Sequence, residues 1–219
     1  MNIIVLTTSY MESHCYLLAE HGRAVVIDPG DFDLVAEAVR KENLTLDVAI
    51  VTHEHCDHVY GCTGIREEFH CKILASRLCS MSMQNPRKNF SQYFDAFIEL
   101  QTSLPPEQQK GIPPFTAYAD EVFEREKSFD WQGHSFYLRE TPGHSPGSIC
   151  ILVDGKILFS GDTLMKDDTA RTEFPGGSSK QMRENTMPWL ESLPAEAEVY
   201  PGHGESFLLG DKLKCSKTI

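Results

Sequence analysis

The sequence predicts an α/β fold of two β-sheets with helices outside them. Two observations carry that reading. Short apolar runs rich in β-branched residues come in two series, and each series is followed by helical patterns rather than alternating regularly with them. No linker-like composition separates the two series, so residues 1–219 read as one domain with an excursion at about 84–120.

In the first series, residues 2–8 (NIIVLTT), 15–19 (CYLLA) and 24–28 (AVVID) read as strands divided by polar turns. Asp28-Pro29-Gly30-Asp31 is a turn, and Asp31 or Asp33 can cap the helix that follows, with Leu34, Val35, Ala38 and Val39 on one face. Residues 47–51 (DVAIV) form a continuous apolar strand running straight into Thr52-His53. A short helix is expected at 63–69 and a strand at 71–75. The stretch 84–120 differs: Pro86, Pro105, Pro106, Pro113 and Pro114 surround Phe90, Tyr93, Phe94 and Phe97. It reads as a loop-and-helix excursion that either covers a site or packs its own aromatics on the surface. Strands return at 134–140, 148–153 and 156–160, a helix is expected over roughly 178–192, and a last strand near 197–200.

Composition narrows the function classes. The formal net charge is −12, with no cluster of Lys and Arg to neutralise phosphates, which excludes a simple electrostatic nucleic-acid binder. No apolar run approaches the roughly 20 residues of a membrane span, so no membrane partner is expected. The first residues have no basic region and carry Glu12 and His14, unlike a secretory signal. Seven cysteines, an odd number with no CxxC pair, suit reduced thiols in a cytoplasm. Cys15, Cys62, Cys71, Cys79 and Cys150 read as core packing. His14, His21, His70 and His134 read as surface or hydrogen-bonded histidines.

The chemistry concentrates in Thr52-His53-Glu54-His55-Cys56-Asp57-His58, three imidazoles and a carboxylate directly behind a buried strand. Imidazole nitrogen and carboxylate oxygen are ligands that Zn²⁺, Fe and Mn accept. In an extended segment His53 and His55 point the same way, and a turn after Cys56 would redirect Asp57 and His58 toward a second ion. Four ligands from one loop cannot close two sites. The candidates for the rest are His144 in Thr141-Pro142-Gly143-His144, Asp162 in Ser160-Gly161-Asp162-Thr163, and His203 in Pro201-Gly202-His203-Gly204. Each follows a strand and a glycine that permits a tight turn. Cys56 could offer a soft thiolate to a metal, but small-residue packing is the simpler reading.

With His14-Cys15-Tyr16-Leu17, Asp28-Pro29-Gly30, TPGHSPGS (141–148), FSGDTL (159–164), ARTEFPGGS (170–178) and YPGHG (200–204), the sequence resembles the metallo-β-lactamase superfamily. Within it, the similarity is to the glyoxalase II-like (hydroxyacylglutathione hydrolase-like) enzymes of the compact bacterial type, over nearly the whole chain. The resemblance implies an αββα sandwich, two mixed sheets flanked by helices, with two divalent metal ions at one edge. It also implies a division of ligands: His53, His55 and His144 on the first ion, Asp57, His58 and His203 on the second, and Asp162 bridging both. Zn is the first choice of metal, with Fe or Mn acceptable. The implied reaction is hydrolysis of a glutathione or related thioester by a hydroxide held between the ions, with Asp57 able to accept a proton. Longer glyoxalase II enzymes bind glutathione partly through a C-terminal helical region, and this chain ends soon after His203. Arg171 is then the basic candidate for a substrate carboxylate, with a structural salt bridge as its competing role.

The alternative is a persulfide dioxygenase-like oxidoreductase with one iron on two His and one Asp, which the chain resembles around Arg171-Thr172. The intact set Asp57, His58 and His203 speaks for two ions. A non-enzymatic metal scaffold would not need so complete a ligand set. A periplasmic β-lactamase would need an export signal, and a nuclease a basic surface.

Overall fold

The computed structural model describes residues 1–96, 111–167 and 170–216. Residues 97–110, the middle of the expected excursion, lie outside them. The chain divides into two compact units, Met1–Val122 and Phe123–Ile219.

The first unit is built on a six-stranded mixed sheet: β1 (Asn2–Thr7), β2 (His14–Glu20), β3 (Arg23–Ile27), β4 (Thr45–Ile50), β5 (Lys72–Ser76) and β6 (Glu121–Phe123), in that spatial order. The boundary between the units falls within β6. β1, β2 and β3 pair antiparallel, whereas β3, β4 and β5 run parallel. Parallel pairing brings the carboxyl ends of β3 and β4 side by side, with the Asp28 N–H donating to the Ile50 carbonyl at 2.9 Å. Asp28 and Thr52, each just past a strand, thereby become neighbours.

Helix α1 (Phe32–Lys41) begins where expected. Asp31 is its cap, accepting from the Leu34 N–H at 3.2 Å. The buried stripe differs from the expectation: Val35, Ala36 and Val39 are inside, and Leu34 and Ala38 lie at the flank, half-buried. Phe32, packed on the core, sets the phase, so positions three, four and seven residues later face inward. Helices α2 (Cys56–Val59), α3 (Cys62–Phe69) and α4 (Arg77–Met83) complete the described helices of this unit, apart from short turns in the excursion. α4 escapes a pattern reading because its sequence, RLCSMSM, has no apolar period; Ser76 starts it by accepting from the Cys79 N–H at 3.1 Å. Cys15, Cys62, Cys71 and Cys79 all sit in the core with the strand residues, as their type suggested.

The second unit carries β7 (Glu126–Trp131), β8 (His134–Glu140), β9 (Ile149–Val153), β10 (Ile157–Gly161), β11 (Glu198–Pro201) and β12 (Phe207–Leu208), again consecutive in the sheet. Only β10 and β11 are parallel. The expected helix at 178–192 is broken into α5 (Ser179–Gln181), a π-helical turn over Met182–Thr186 and α6 (Met187–Leu190). Pro188 is the physical reason: it has no N–H to give and its ring would strike the carbonyl four residues earlier, so the preceding turn widens. The last helix is α7 (Leu209–Ser216).

Candidate metal centre

In the first unit the strand β4 ends at Ile50, and Val51, Thr52, His53, Glu54 and His55 follow outside regular structure before α2 starts at Cys56. The expected turn is this helix. It carries Asp57 and His58 while His53 and His55 precede it, and all four side chains are buried. The rings of His55 and His58 lie 4.5 and 4.3 Å from that of His53, centroid to centroid. His58 Nε2 is 3.4 Å from Asp57 Oδ2. The loop is pinned from outside by Ser13, whose hydroxyl donates to the Asp57 carbonyl at 3.0 Å. Gly30 permits this approach, since a side chain there would collide with the same carbonyl.

Asp28 organises the imidazoles. Its Oδ1 accepts from the Thr52 N–H and its Oδ2 from the Thr52 hydroxyl, each at 2.6 Å. Oδ2 also accepts from His58 Nδ1 at 3.1 Å. The Thr52 oxygen, having given its proton to Asp28, accepts from His53 Nδ1 at 3.1 Å. A carboxylate can only accept, so both His53 and His58 carry their proton on Nδ1 and present a lone pair on Nε2. That is the tautomer a metal needs. Asp28 is thus a support for two candidate ligands, a role the sequence did not assign beyond a turn.

The second unit gathers His144, Asp162 and His203. Asp162 Oδ2 stands 3.5 Å from His144 Nε2 and 3.6 Å from His203 Nε2. The Gly202 N–H donates to the Gly161 carbonyl at 2.8 Å, which ties the ends of the parallel strands β10 and β11 and aligns Asp162 with His203. His144 is locked by the segment after β10: its Nδ1 donates to the Arg171 carbonyl at 2.9 Å, again leaving the lone pair on Nε2. Phe174 meets its ring edge-on at 6.2 Å. Gly143 has a φ of +155°, and a side chain there would press on Met182 of the π-helical turn, 2.7 Å away. Thr186 of the same turn donates to the Pro142 carbonyl at 2.7 Å. The widened helix therefore grips the turn that delivers His144.

Donor chemistry fits a metal in both units: imidazoles with fixed tautomers beside carboxylates, and Asp28, Thr52 and a main-chain carbonyl behind them. Cys56 packs with Tyr10, Phe94 and Ile112, and burial pushes its thiol well above the ordinary range. Arg171 contributes its carbonyl to His144, and its side chain is exposed. Among the histidines outside the motifs, His134 Nδ1 lies 2.6 Å from Asp154 Oδ2, and His14 Nδ1 lies 3.2 Å from Thr7 Oγ1.

The profile of the Metallo-beta-lactamase superfamily matches residues 11–203. The chain belongs to that superfamily. Its members are metallo-hydrolases and related metalloenzymes, and the two mixed sheets flanked by helices are their fold. Among relatives, the hydroxyacylglutathione hydrolase GloC of Haemophilus influenzae is 27% identical over 218 residues, covering 97% of this chain and 95% of that one. The crystal structure of BLEG-1 B3 metallo-beta-lactamase superposes with a TM-score of 0.81 at 25% identity, over 97% of each chain. TTHA1623, solved in a di-iron-bound form, gives 0.71 at 25% identity, over 94% of this chain and 95% of the other. The described residues include no helix long and apolar enough to cross a membrane.

Proposed function

We propose that this superfamily member is a two-metal thioesterase acting on glutathione or related thioesters. In this reading His53, His55 and His144 hold one ion, Asp57, His58 and His203 hold the other, and Asp162 serves both. The observation that carries it is the Asp162 carboxylate, one oxygen of which faces the Nε2 atoms of two imidazoles at near-equal distance. A carboxylate so placed suits a bridging ligand. When bound, a pair of divalent ions supplies an activated water and a Lewis acid for the substrate carbonyl. Zn is the expected metal, with Fe or Mn accepted by the same donors.

The chain's own residues do the rest. Asp28 and the Arg171 carbonyl fix ring orientation, which keeps the Nε2 lone pairs of His58 and His144 aimed for an ion. Asp57 Oδ2 accepts a proton at the site, next to the His58 Nε2 it already approaches. Thiolates leave readily, so hydrolysis of a thioester asks for no strong general acid. The exposed Arg171 guanidinium attracts a substrate carboxylate, and the similarity to GloC supports glutathione as the carrier. Among the described residues six cysteines are buried as free thiols, which suits work in a reducing cytoplasm.

The test is metal analysis of protein purified without added metal, paired with a substrate panel of lactoylglutathione, simple acyl thioesters and a β-lactam. Two equivalents of metal and turnover of the thioesters are expected. One iron per chain, with O₂ consumed on a persulfide, would make it a dioxygenase instead. Turnover of the β-lactam alone would transfer it to the substrate class named for its structural neighbour.

A further inference from the structure

Phe90 combines three features that core packing alone does not call for. Its backbone is left-handed, with φ +66° and ψ 0°, a conformation that bulky side chains seldom adopt. Its ring lies 4.6 Å from that of His55, tilted by 40°. It remains partly exposed, while its neighbours Asn89 and Ser91 are buried.

The surroundings hold it there. Asn89 donates from Nδ2 to the carbonyls of Met83 and Phe115 at 3.1 and 3.0 Å, tying α4 to the far side of the excursion. Asn89 Oδ1 accepts from the Ser91 N–H at 2.9 Å and from its hydroxyl at 2.7 Å. The Ser91 oxygen in turn accepts from the Phe115 N–H at 3.1 Å. The tight turn at Phe90 is thus clamped on both sides by a buried polar network, and the strain it stores is retained rather than relaxed. Behind it lies an apolar cluster of Tyr10, Cys56, Phe94 and Ile112, with Met11, Tyr60, Phe90 and Phe115 at its margin. A partly exposed ring at the edge of such a cluster, touching an imidazole of the site, is within reach of whatever His55 helps to hold.

We infer that Phe90 is a specificity-determining residue, an aromatic wall that seats the apolar part of an acyl group beside His55. The inference rests on the acyl-hydrolase reading above. It predicts a preference for acyl chains long enough to lie on the ring, because apolar surface taken from water stabilises the complex in proportion to its area.

Two measurements on the metal-loaded protein as purified test it. The first is binding of hexanoate against acetate, the carboxylate products of a long and a short acyl group, by calorimetry. Wild type should bind hexanoate more tightly, and Phe90→Ala should lose about 10-fold for hexanoate with acetate changed less than 2-fold. Phe90→Trp should restore the preference, and metal content should be the same in all three proteins. The second is kcat/KM on hexanoyl and acetyl thioesters of glutathione, where the same selective loss is expected. Equal binding of the two carboxylates by wild type overturns the inference even if thioesters are hydrolysed. So does an equal loss on both ligands, or loss of metal from Phe90→Ala, since either marks a structural role. A Phe90-dependent preference for hexanoate in a protein that turns over no thioester leaves the inference standing and removes the thioesterase reading instead.

Discussion

Asp28 accepts from His58 Nδ1 at 3.1 Å, although thirty positions separate the two residues in the chain. The same carboxylate reaches His53 through the Thr52 hydroxyl. One acid thereby sets the tautomer of two imidazoles, with its oxygens engaged by the Thr52 N–H, the Thr52 hydroxyl and His58. Asp28→Asn keeps the shape but replaces an acceptor with a group that can also donate, and the ring orientations lose their reference. Support of this kind is worth roughly 10- to 100-fold in metal affinity. Competition with a chelator should show a loss in that range for Asp28→Asn, with the circular dichroism spectrum unchanged. Unaltered affinity would mean that the rings are oriented by packing alone.

Asp162 faces both His144 and His203, so its removal should not be a local event. Asp162→Ala is expected to lower occupancy of both ions, to well under one equivalent per chain in total, and to leave little hydrolysis. Tight retention of one ion with loss of the other would show that the carboxylate serves a single site.

Much of this was legible in the sequence, for identifiable reasons. β3 and β4 are built around the apolar runs Ala24–Ile27 and Val48–Ile50, and they fall within one or two residues of the expected bounds. The ligand candidates are imidazoles and carboxylates just past strand ends, where a polar side chain is costly to bury unless something pairs with it. β7 was missed because in EKSFDW charged and polar residues alternate with Lys127, Phe129 and Trp131, a half-exposed strand whose inward face includes a lysine stem. Phe90 was visible only as one aromatic among several. Its left-handed backbone depends on hydrogen bonds from Asn89 to residues at both ends of the excursion, contacts that local spacing does not encode. Asp28 was read as a turn because its partners are reached through the parallel pairing of β3 with β4, a tertiary relationship.

Arg171 separates into two parts that mutation can distinguish. Its carbonyl holds His144, and any residue supplies a carbonyl; its guanidinium is exposed. Arg171→Ala should therefore leave metal content unchanged. If the side chain pairs with a carboxylate of glutathione, KM for lactoylglutathione should rise by up to about 5-fold, the scale of an exposed ion pair, while an uncharged thioester is barely affected. Equal losses on both substrates would assign the side chain a structural part.

The buried thiols give the protein an alkaline limit. Burial raises Cys15 to about 12 and Cys150 to about 12, and pushes Cys62 higher still. None of the three neighbours a proposed ligand in the chain. In the unfolded chain each returns to its ordinary value near 9. The folded state thus keeps its protons where the unfolded state gives them up. The stability tied to protonated thiols is fully present below pH 9 and is lost as pH rises from there through the folded values. Each thiol costs about 1 kcal/mol by roughly one pH unit above its unfolded pKa. Urea midpoints at pH 8 and pH 10 should therefore differ clearly, and Cys150→Ala should shrink the difference by one thiol's share even though the variant is less stable at pH 8. A difference that Cys150→Ala leaves unchanged would assign the alkaline loss to other groups.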